Sequence, residues 1–409
     1  MDITLNNTNI NSFDSKLTLT GSKSESNRLL IIQQLFSDLQ IKNLSNSKDT
    51  QVLQKALKKK NTRIDIGHAG TAMRFLTAYF SSRNGIDLTL TGSKRMQERP
   101  IKILVDALIL LGADIKYLKE EGFPPLRIKG KTLSIDSVSI NGNVSSQYIS
   151  ALLLIAPSLK NGLSLKLTGK ITSIPYIKMT LSLLNKIGVK TKWEEEIITV
   201  FPKKNSEKTI IYVESDWSSA SYFYSLVALS KNGKIELGSF KKESLQGDKA
   251  LAEIFLHFGV KTTYKKQTIL IKKIADFKQK KHIQLNLVNT PDIAQTIAVT
   301  CLGLNISCGL TGLHTLKIKE TDRLDALKKE LQKFGAKVRI TNDSLHLKSE
   351  THKPQTKDQK PKTISTYEDH RMAMAFAPLS LKFPVVIKNA EVVHKSYPNF
   401  WEDFNCIFN

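Results

Sequence analysis

The segment Leu316-Lys317-Ile318-Lys319-Glu320-Thr321-Asp322-Arg323-Leu324 holds five charged residues in nine. It lies between an apolar, Gly-containing stretch (Cys301 to Gly312) and a helical pattern of Leu324, Leu327, Leu331 and Phe334. Lys319 and Glu320 stand four and three residues before Arg323, so a helix starting near Thr321 would gather them at its N-terminus with the first free N–H groups. Such a spot holds an anion and keeps a carboxylate beside it. The plainer reading is a solvated helix start with an i,i+3 Glu–Arg pair. Similar charged or hydroxyl-rich entries recur along the chain. Ser22-Lys23-Ser24-Glu25-Ser26-Asn27-Arg28 follows Gly21 and precedes an apolar helix from Leu29 to Phe36, which makes an anion cradle. Gly67-His68-Ala69-Gly70-Thr71-Ala72-Met73-Arg74 is a Gly-bracketed helix entry that lets a ligand approach the backbone, and it lacks the GK[ST] ending of a P-loop. Arg95 and Arg99 follow Gly92. Ser145, Ser146 and Gln147 form a neutral hydroxyl and amide cluster before Ile149 to Ile155, and Ser173 and Tyr176 follow Gly169. Asp292 opens an apolar helix, Glu368-Asp369-His370-Arg371 is another charged entry, and His394-Lys395-Ser396 comes last. Any one of these could be a simple cap or a surface charge. Together they predict loops from two lobes converging on a target with several negative charges. Lys23, Arg28, Arg99, Ser145 and Ser146 would come from one lobe. Asp292, Lys319, Glu320, Arg323, Arg371 and Lys395 would come from the other.

The elements that must position these loops are visible as a repeat. Leu19-Thr20-Gly21, Leu90-Thr91-Gly92, Leu167-Thr168-Gly169, Glu236-Leu237-Gly238 and Leu310-Thr311-Gly312 have glycines spaced 71, 77, 69 and 74 apart, and a sixth marker falls near Asn389. A second series interleaves at Gly112, Gly188, Gly259 and Gly335, spaced 76, 71 and 76 apart. Each of these glycines ends a helical pattern and precedes β-branched residues, the expected helix stop. The unit is strand, Gly, polar loop, helix, Gly, strands. It is too long for a solenoid repeat and suits layered α+β packing. The last unit is cut short, and an orphan strand (Ile3 to Ile10) begins the chain. Residues 14–214 are therefore expected to form one lobe of three units. Residues 1–13 with 215–409 are expected to form the second lobe, also of three units, with the active site in the cleft between them. Lys353 to Lys362 reads as an exposed excursion.

Composition limits the alternatives. Hydrophobic residues make up 41% and charged residues 24%, an ordinary globular balance over 409 residues. No apolar run nears the ~18 residues that span a bilayer, and Met1-Asp2-Ile3-Thr4 has neither a basic n-region nor an h-region, so a cytoplasmic protein is expected. Cys301, Cys308 and Cys406 form no CxxC pair and are expected to be buried free thiols. The net charge of +24 invites a nucleic-acid partner. The surplus, however, is Lys scattered along the whole chain. Only ten residues are Arg, and six of them (Arg28, Arg74, Arg95, Arg99, Arg323, Arg371) fall in loops marked by Gly or Ser with few aromatics. That pattern fits bidentate recognition of carboxylate or phosphate rather than a base-stacking stripe.

Four ordered motifs resemble the signatures of the 5-enolpyruvylshikimate-3-phosphate synthase family. They are Gly21-Ser22-Lys23-Ser24-Glu25-Ser26-Asn27-Arg28, Ala69-Gly70-Thr71-Ala72-Met73-Arg74, Lys319-Glu320-Thr321-Asp322-Arg323-Leu324 and Asp369-His370-Arg371-Met372-Ala373-Met374-Ala375. The likeness runs from Gly21 to Phe400. It implies the enolpyruvyl transferase fold: α+β, two lobes, each of three similar strand and helix units with quasi-threefold symmetry. It also implies transfer of the enolpyruvyl group of phosphoenolpyruvate to shikimate 3-phosphate with release of phosphate, with no metal and no cofactor. Only small-molecule partners are expected, neither nucleic acid nor membrane, and the protein is expected to be a monomer. By motif, Lys23, Gly70, Arg99, Gln147, Arg323, Arg371 and Lys395 would hold phosphoenolpyruvate. Lys23, Ser24, Arg28, Ser145, Ser146, Gln147, Ser173, Tyr176, Asp292 and Lys319 would hold shikimate 3-phosphate. Glu320 would act as acid at the vinyl carbon, Asp292 as base at the attacking hydroxyl, and Lys23 at the departing phosphate. The chain departs from the family pattern at His68, commonly Asn, at Phe75, commonly Pro or Leu, and at Trp217, commonly smaller. The first two bear on the phosphoenolpyruvate site and on sensitivity to the herbicide glyphosate; Trp217 is expected to be a packing difference. The sister UDP-N-acetylglucosamine enolpyruvyltransferase uses a loop Cys as acid, and none of these loops contains a Cys.

Overall fold

The computed structural model describes residues 1–58, 62–143, 145–205, 207–349 and 360–408. Most of the stretch expected to be an excursion, Lys353 to Lys362, lies outside the described residues. The chain divides into two compact units, Gly21–Val213 and Met1–Thr20 with Glu214–Asn409. Each unit is α+β.

In the Gly21–Val213 unit, Arg63–Asp65 runs parallel to Asp87–Thr91, which is followed across the sheet by Leu126–Lys129 and Asp114–Tyr117 as an antiparallel hairpin. The same plan recurs in Ser137–Asn141, Leu163–Thr168, Ile197–Val200 and Thr191–Glu194. A third, two-stranded sheet pairs Thr209–Tyr212 with Leu39–Lys42 in parallel. The other unit repeats the plan twice. Ser12–Thr18 is parallel to Asn232–Gly238, and His282–Asn286 is parallel to Ser307–Thr311, each pair extended by a hairpin. Its third sheet joins Lys362–Ile364 in parallel to Val385–Ile387, with Ile3–Leu5 antiparallel on the far side. The orphan N-terminal strand therefore completes the C-terminal set, though it ends at Leu5 rather than Ile10.

Two predicted features shift. Phe13-Asp14-Ser15 is expected at a crossing between lobes. In fact it lies inside Ser12–Thr18, which stays paired with Asn232–Gly238 to its end, so the division falls at Thr20–Gly21. For the same reason Leu19-Thr20-Gly21 is not equivalent to the other markers. It follows the first strand of a parallel pair, whereas the others follow the second. The residue in this set that takes the corresponding turn is Asn43, at φ 57°, after Leu39–Lys42, whose parallel partner Thr209–Tyr212 comes later in the chain. Gly169, Ser239, Gly312 and Asn389 take the same left-handed turn after their second strands. Asn and Gly suit that conformation because they bear it at least steric cost. The second marker series needs no change: Gly112, Gly188, Gly259 and Gly335 all have positive φ where helical segments stop.

The centre of each unit is a helix that is apolar nearly all round, the pattern of an element with no solvent face. In one unit it is Ser146–Ile155; in the other it is Trp217–Leu229, every residue of which is buried but Ser218. Buried hydroxyls satisfy one another where such helices pack, as in Ser221 with Thr296 at 3.0 Å and Thr300 with Ser225 at 2.8 Å. Cys301 and Cys308 are buried free thiols, but Cys406 is exposed, because the last short helix, Phe400–Cys406, turns only Phe400 and Phe404 inward.

Trp217 fills the start of its helix. Asp216 caps that helix by accepting the Ser219 N–H at 2.8 Å. The indole N–H donates to Glu214 Oε1 at 2.9 Å, and the ring meets Phe240 edge-on at 4.9 Å. Glu214 is itself buried and also accepts the Lys241 N–H at 2.8 Å and the Ser244 hydroxyl at 2.6 Å. Trp217→Ala should remove this packing and leave a cavity, lowering unfolding free energy by roughly 3–5 kcal/mol. Urea unfolding followed by circular dichroism checks this.

Candidate active site

Helix starts position the chemistry in both units. In the Glu214–Asn409 part, a single turn Pro291–Ile293 carries Asp292 into the helix Ala294–Gly303. Lys319 and Glu320 precede the helix Arg323–Gln332, which begins at Arg323 rather than Thr321 because Asp322 is its cap and accepts the Leu324 and Asp325 N–H groups. Arg371 is the second residue of His370–Phe376, capped by Asp369, and Lys395 ends the turn Ala390–Lys395.

These groups form one ion network. Asp292 Oδ1 lies 3.0 Å from Arg323 Nη1 and 3.6 Å from Lys319 Nζ, and its Oδ2 lies 3.1 Å from Arg371 Nη2. Glu320 accepts from Arg323 Nη2 at 2.9 Å and from Lys395 Nζ at 3.1 Å. Asp369 Oδ2 accepts from Arg323 Nε at 2.6 Å. All six residues expected in this lobe are thus brought together. The network holds Arg323, Arg371, Lys319 and Lys395 against Asp292, Glu320 and Asp369, one positive charge in excess. Burial pulls the Arg323 guanidinium down, but Asp369, Glu320 and Asp292 more than offset this and hold it above its ordinary value. Arg323 therefore remains a cation throughout the working pH range.

The Gly21–Val213 unit is built differently. Arg28, on the helix Lys23–Leu35, is buried and donates to Thr180 Oγ1 at 2.8 Å, Ser150 Oγ at 2.9 Å, and the carbonyls of Ser24 at 2.9 Å and Tyr176 at 3.3 Å. Its guanidinium also stands 5.5 Å from the Phe75 ring and 6.0 Å from the Tyr176 ring. Burial pulls it down to about 10, so it is still charged at neutral pH. Phe75 thus packs against the Arg28 guanidinium. Ser145 caps the helix Ser146–Ile155 by accepting the Gln147 N–H at 3.4 Å, and the Gln147 amide donates to Thr71 Oγ1 at 3.2 Å. Ser146 and Ser173 are buried at the starts of their helices, and Ser173 has φ 54°. Arg99 covers Gly70 so closely that a Cβ there would come 2.7 Å from Nη1. Lys23 Nζ reaches Asp49 Oδ2 at 3.4 Å, and His68 Nδ1 meets Ser93 Oγ at 3.0 Å. Two loop arginines serve the fold instead. Arg74 donates to the Gly70 and Pro100 carbonyls, and Arg95 pairs with Glu98 at 3.2 Å.

Three carboxylates at these sites escaped the sequence reading: Asp49, Asp248 and Asp369. Asp369 lies inside the Asp369-His370-Arg371 motif, and Asp248 lies in the loop after the Gly238 marker. Asp248 is buried, accepts from the Ser218 hydroxyl through Oδ2, and its Oδ1 has no hydrogen-bond partner. Burial pushes its carboxyl up to about 7, with Asp292 pushing the same way and Arg371 opposing. A carboxyl whose folded value exceeds its unfolded one binds more protons when folded, so stability falls as pH rises between the two values. Wild-type stability should therefore fall between pH ~4 and ~7 relative to Asp248→Asn, which keeps a neutral side chain throughout. Paired unfolding curves at pH 5 and pH 8 check the sign: the variant gains on the wild type at the higher pH.

The family profile for EPSP synthase (3-phosphoshikimate 1-carboxyvinyltransferase) matches residues 53–404. A 3-phosphoshikimate 1-carboxyvinyltransferase from Bacteroides fragilis (strain YCH46) is 49% identical over 389 residues, covering 95% of this chain and 93% of the relative. Another from Haemophilus influenzae (strain PittEE) is 35% identical over 438 residues, covering 97% of each. The solved structure of an EPSP synthase from Acinetobacter baumannii superposes with a TM-score of 0.77 at 22% identity, over 99% of this chain and 98% of that one, so the α+β fold is shared as well. With matches of this length, the charged helix starts are those of a member of the EPSP synthase (3-phosphoshikimate 1-carboxyvinyltransferase) family, and this chain belongs to it.

Proposed function

We propose that the two sets of helix starts serve one reaction, the family's transfer of the enolpyruvyl group of phosphoenolpyruvate to the 5-hydroxyl of shikimate 3-phosphate with release of phosphate. The observation that carries the assignment of roles is the network that joins Asp292, Lys319, Glu320, Arg323, Arg371 and Lys395. It places two partly exposed carboxylates among four cations, as needed to neutralise an anionic substrate while moving protons.

In the addition step the hydroxyl oxygen forms a bond to C2 of phosphoenolpyruvate, and the π pair takes a proton at the methylene carbon. Asp292 accepts the hydroxyl proton and Glu320 delivers the methylene proton. In the elimination step a methyl proton returns, the double bond re-forms, and the C–O bond to phosphate breaks with its electron pair leaving on phosphate. Cations on both sides of a carboxylate favour its ionised form. Substrate anions that occupy Arg323 and Lys395 withdraw that bias from Glu320 and let it carry a proton. Lys23 meets the departing phosphate. Arg99, Arg371 and Gln147, with the backbone at Gly70, hold phosphoenolpyruvate. Ser24, Arg28, Ser145, Ser146, Ser173, Tyr176 and Lys319 hold shikimate 3-phosphate.

The reading extends to a cytoplasmic enzyme that works as a monomer. Among the described residues, no helix is long and apolar enough to cross a membrane.

Phosphate release from phosphoenolpyruvate should require shikimate 3-phosphate; release with UDP-N-acetylglucosamine instead, or with neither acceptor, contradicts the reading. Each positioned proton-transfer group contributes ~10²–10⁴ in rate, so Glu320→Gln and Asp292→Ala should each lower kcat at least about a hundredfold. Both variants should keep the wild-type circular dichroism spectrum, and wild-type turnover in either one removes its assigned role.

A further inference from the structure

Arg323 is ringed by three carboxylates, and they are not alike. Asp292 and Glu320 keep 20% and 13% of their side-chain surface exposed, whereas Asp369 keeps none. Asp292 and Glu320 engage the outer nitrogens, Nη1 and Nη2. Asp369 engages Nε at 2.6 Å, with its second oxygen 3.4 Å from Nη2. That second oxygen also accepts the Arg371 backbone N–H at 2.8 Å. One buried carboxylate thus fixes the root of one guanidinium fork and the main chain of the residue that bears the other.

A guanidinium held side-on through Nε and one N–H of Nη2 is fixed in plane and direction, while Nη1 and the second N–H of Nη2 still point away from the anchor. The two outer carboxylates can therefore give way to a carboxylate or phosphate from solution without Arg323 losing its aim. Asp369 has no surface from which to exchange. We propose that Asp369 is a positioning residue for phosphoenolpyruvate, holding Arg323 and Arg371 in register while Asp292 and Glu320 leave the guanidinium and become available for proton transfer. The proposal rests on the assignment of Arg323 and Arg371 to phosphoenolpyruvate made above.

Asp369 could instead serve only as a helix cap. Asn caps helices as well as Asp does, so Asp369→Asn keeps the cap and removes the charge. Asp292 and Glu320 still balance Arg323 in that variant, which should fold. Wild-type enzyme is assayed first with phosphoenolpyruvate and shikimate 3-phosphate; lack of turnover there overturns the functional reading itself. With wild-type turnover established, Asp369→Asn should raise KM for phosphoenolpyruvate roughly ten- to a hundredfold, the worth of one charged hydrogen bond. KM for shikimate 3-phosphate should stay within about twofold. In an Arg323→Lys background, which has no Nε–H fork to hold, Asp369→Asn should add little further loss. An unchanged KM for phosphoenolpyruvate, an equal rise in both KM values, or full additivity with Arg323→Lys overturns the proposal. If Asp369→Asn does not fold, Asp369→Ser, which also caps, replaces it. Loss of folding in both variants assigns the carboxylate to the fold and overturns the proposal as well.

Discussion

The ion network of the Glu214–Asn409 segment depends on one buried cation. Removing a guanidinium from water carries a penalty of several kcal/mol, offset only when every face finds a well-placed partner. Arg323 finds Asp292, Glu320 and Asp369, and each comes from the start of a different helix. Satisfying this one side chain therefore dictates how three helix starts must meet. The electrostatics of this network also specify its local assembly. The three divide the guanidinium's five N–H donors among them.

The Gly21–Val213 unit solves the same burial problem with neutral groups. Arg28 is satisfied by hydroxyls and carbonyls and sits against two aromatic rings. None of these partners carries a formal charge, although the Glu25 carboxylate acts on the guanidinium from nearby. In the other unit, the charge of Arg323 is largely shared out among acids. The contrast is physical: one unit satisfies its buried arginine with neutral groups, the other with carboxylates.

Much of this was legible in the chain because helix starts and stops are local signals. Gly112, Gly188, Gly259 and Gly335 mark helix ends by a backbone conformation that glycine adopts freely. The charged entries at Lys319, Glu320 and Arg323 mark helix starts. What escaped depended on distant partners. Asp369 looks like an ordinary cap until Arg323, 46 residues away, reaches it. Asp49 looks like a helix-dipole residue until Lys23, 26 residues away, does the same. Asp248 carries no local sign of burial at all. The first Gly marker misled for a related reason. Spacing alone cannot tell which strand of a parallel pair a tripeptide follows, and Gly21 happens to fall at a regular interval near the point where the chain passes from one unit to the other.

The parallel pairing of Ser12–Thr18 with Asn232–Gly238 bears on how the protein is made. At a synthesis rate of ~5–20 residues per second, the first strand leaves the ribosome on the order of 10–40 s before its partner exists. Throughout that interval it is an unpaired edge, the kind of segment that recruits foreign strands. Asp14 and Lys16, in the middle of the strand, discourage such encounters by their charge. When the partner arrives they change role: Asp14 meets Lys234 at 2.7 Å and Lys16 meets Glu236 at 3.1 Å, directly opposite in register. A slip by two residues would set Asp14 against Glu236. The charges that guard the nascent strand against wrong neighbours also act as the key by which it recognises the right one.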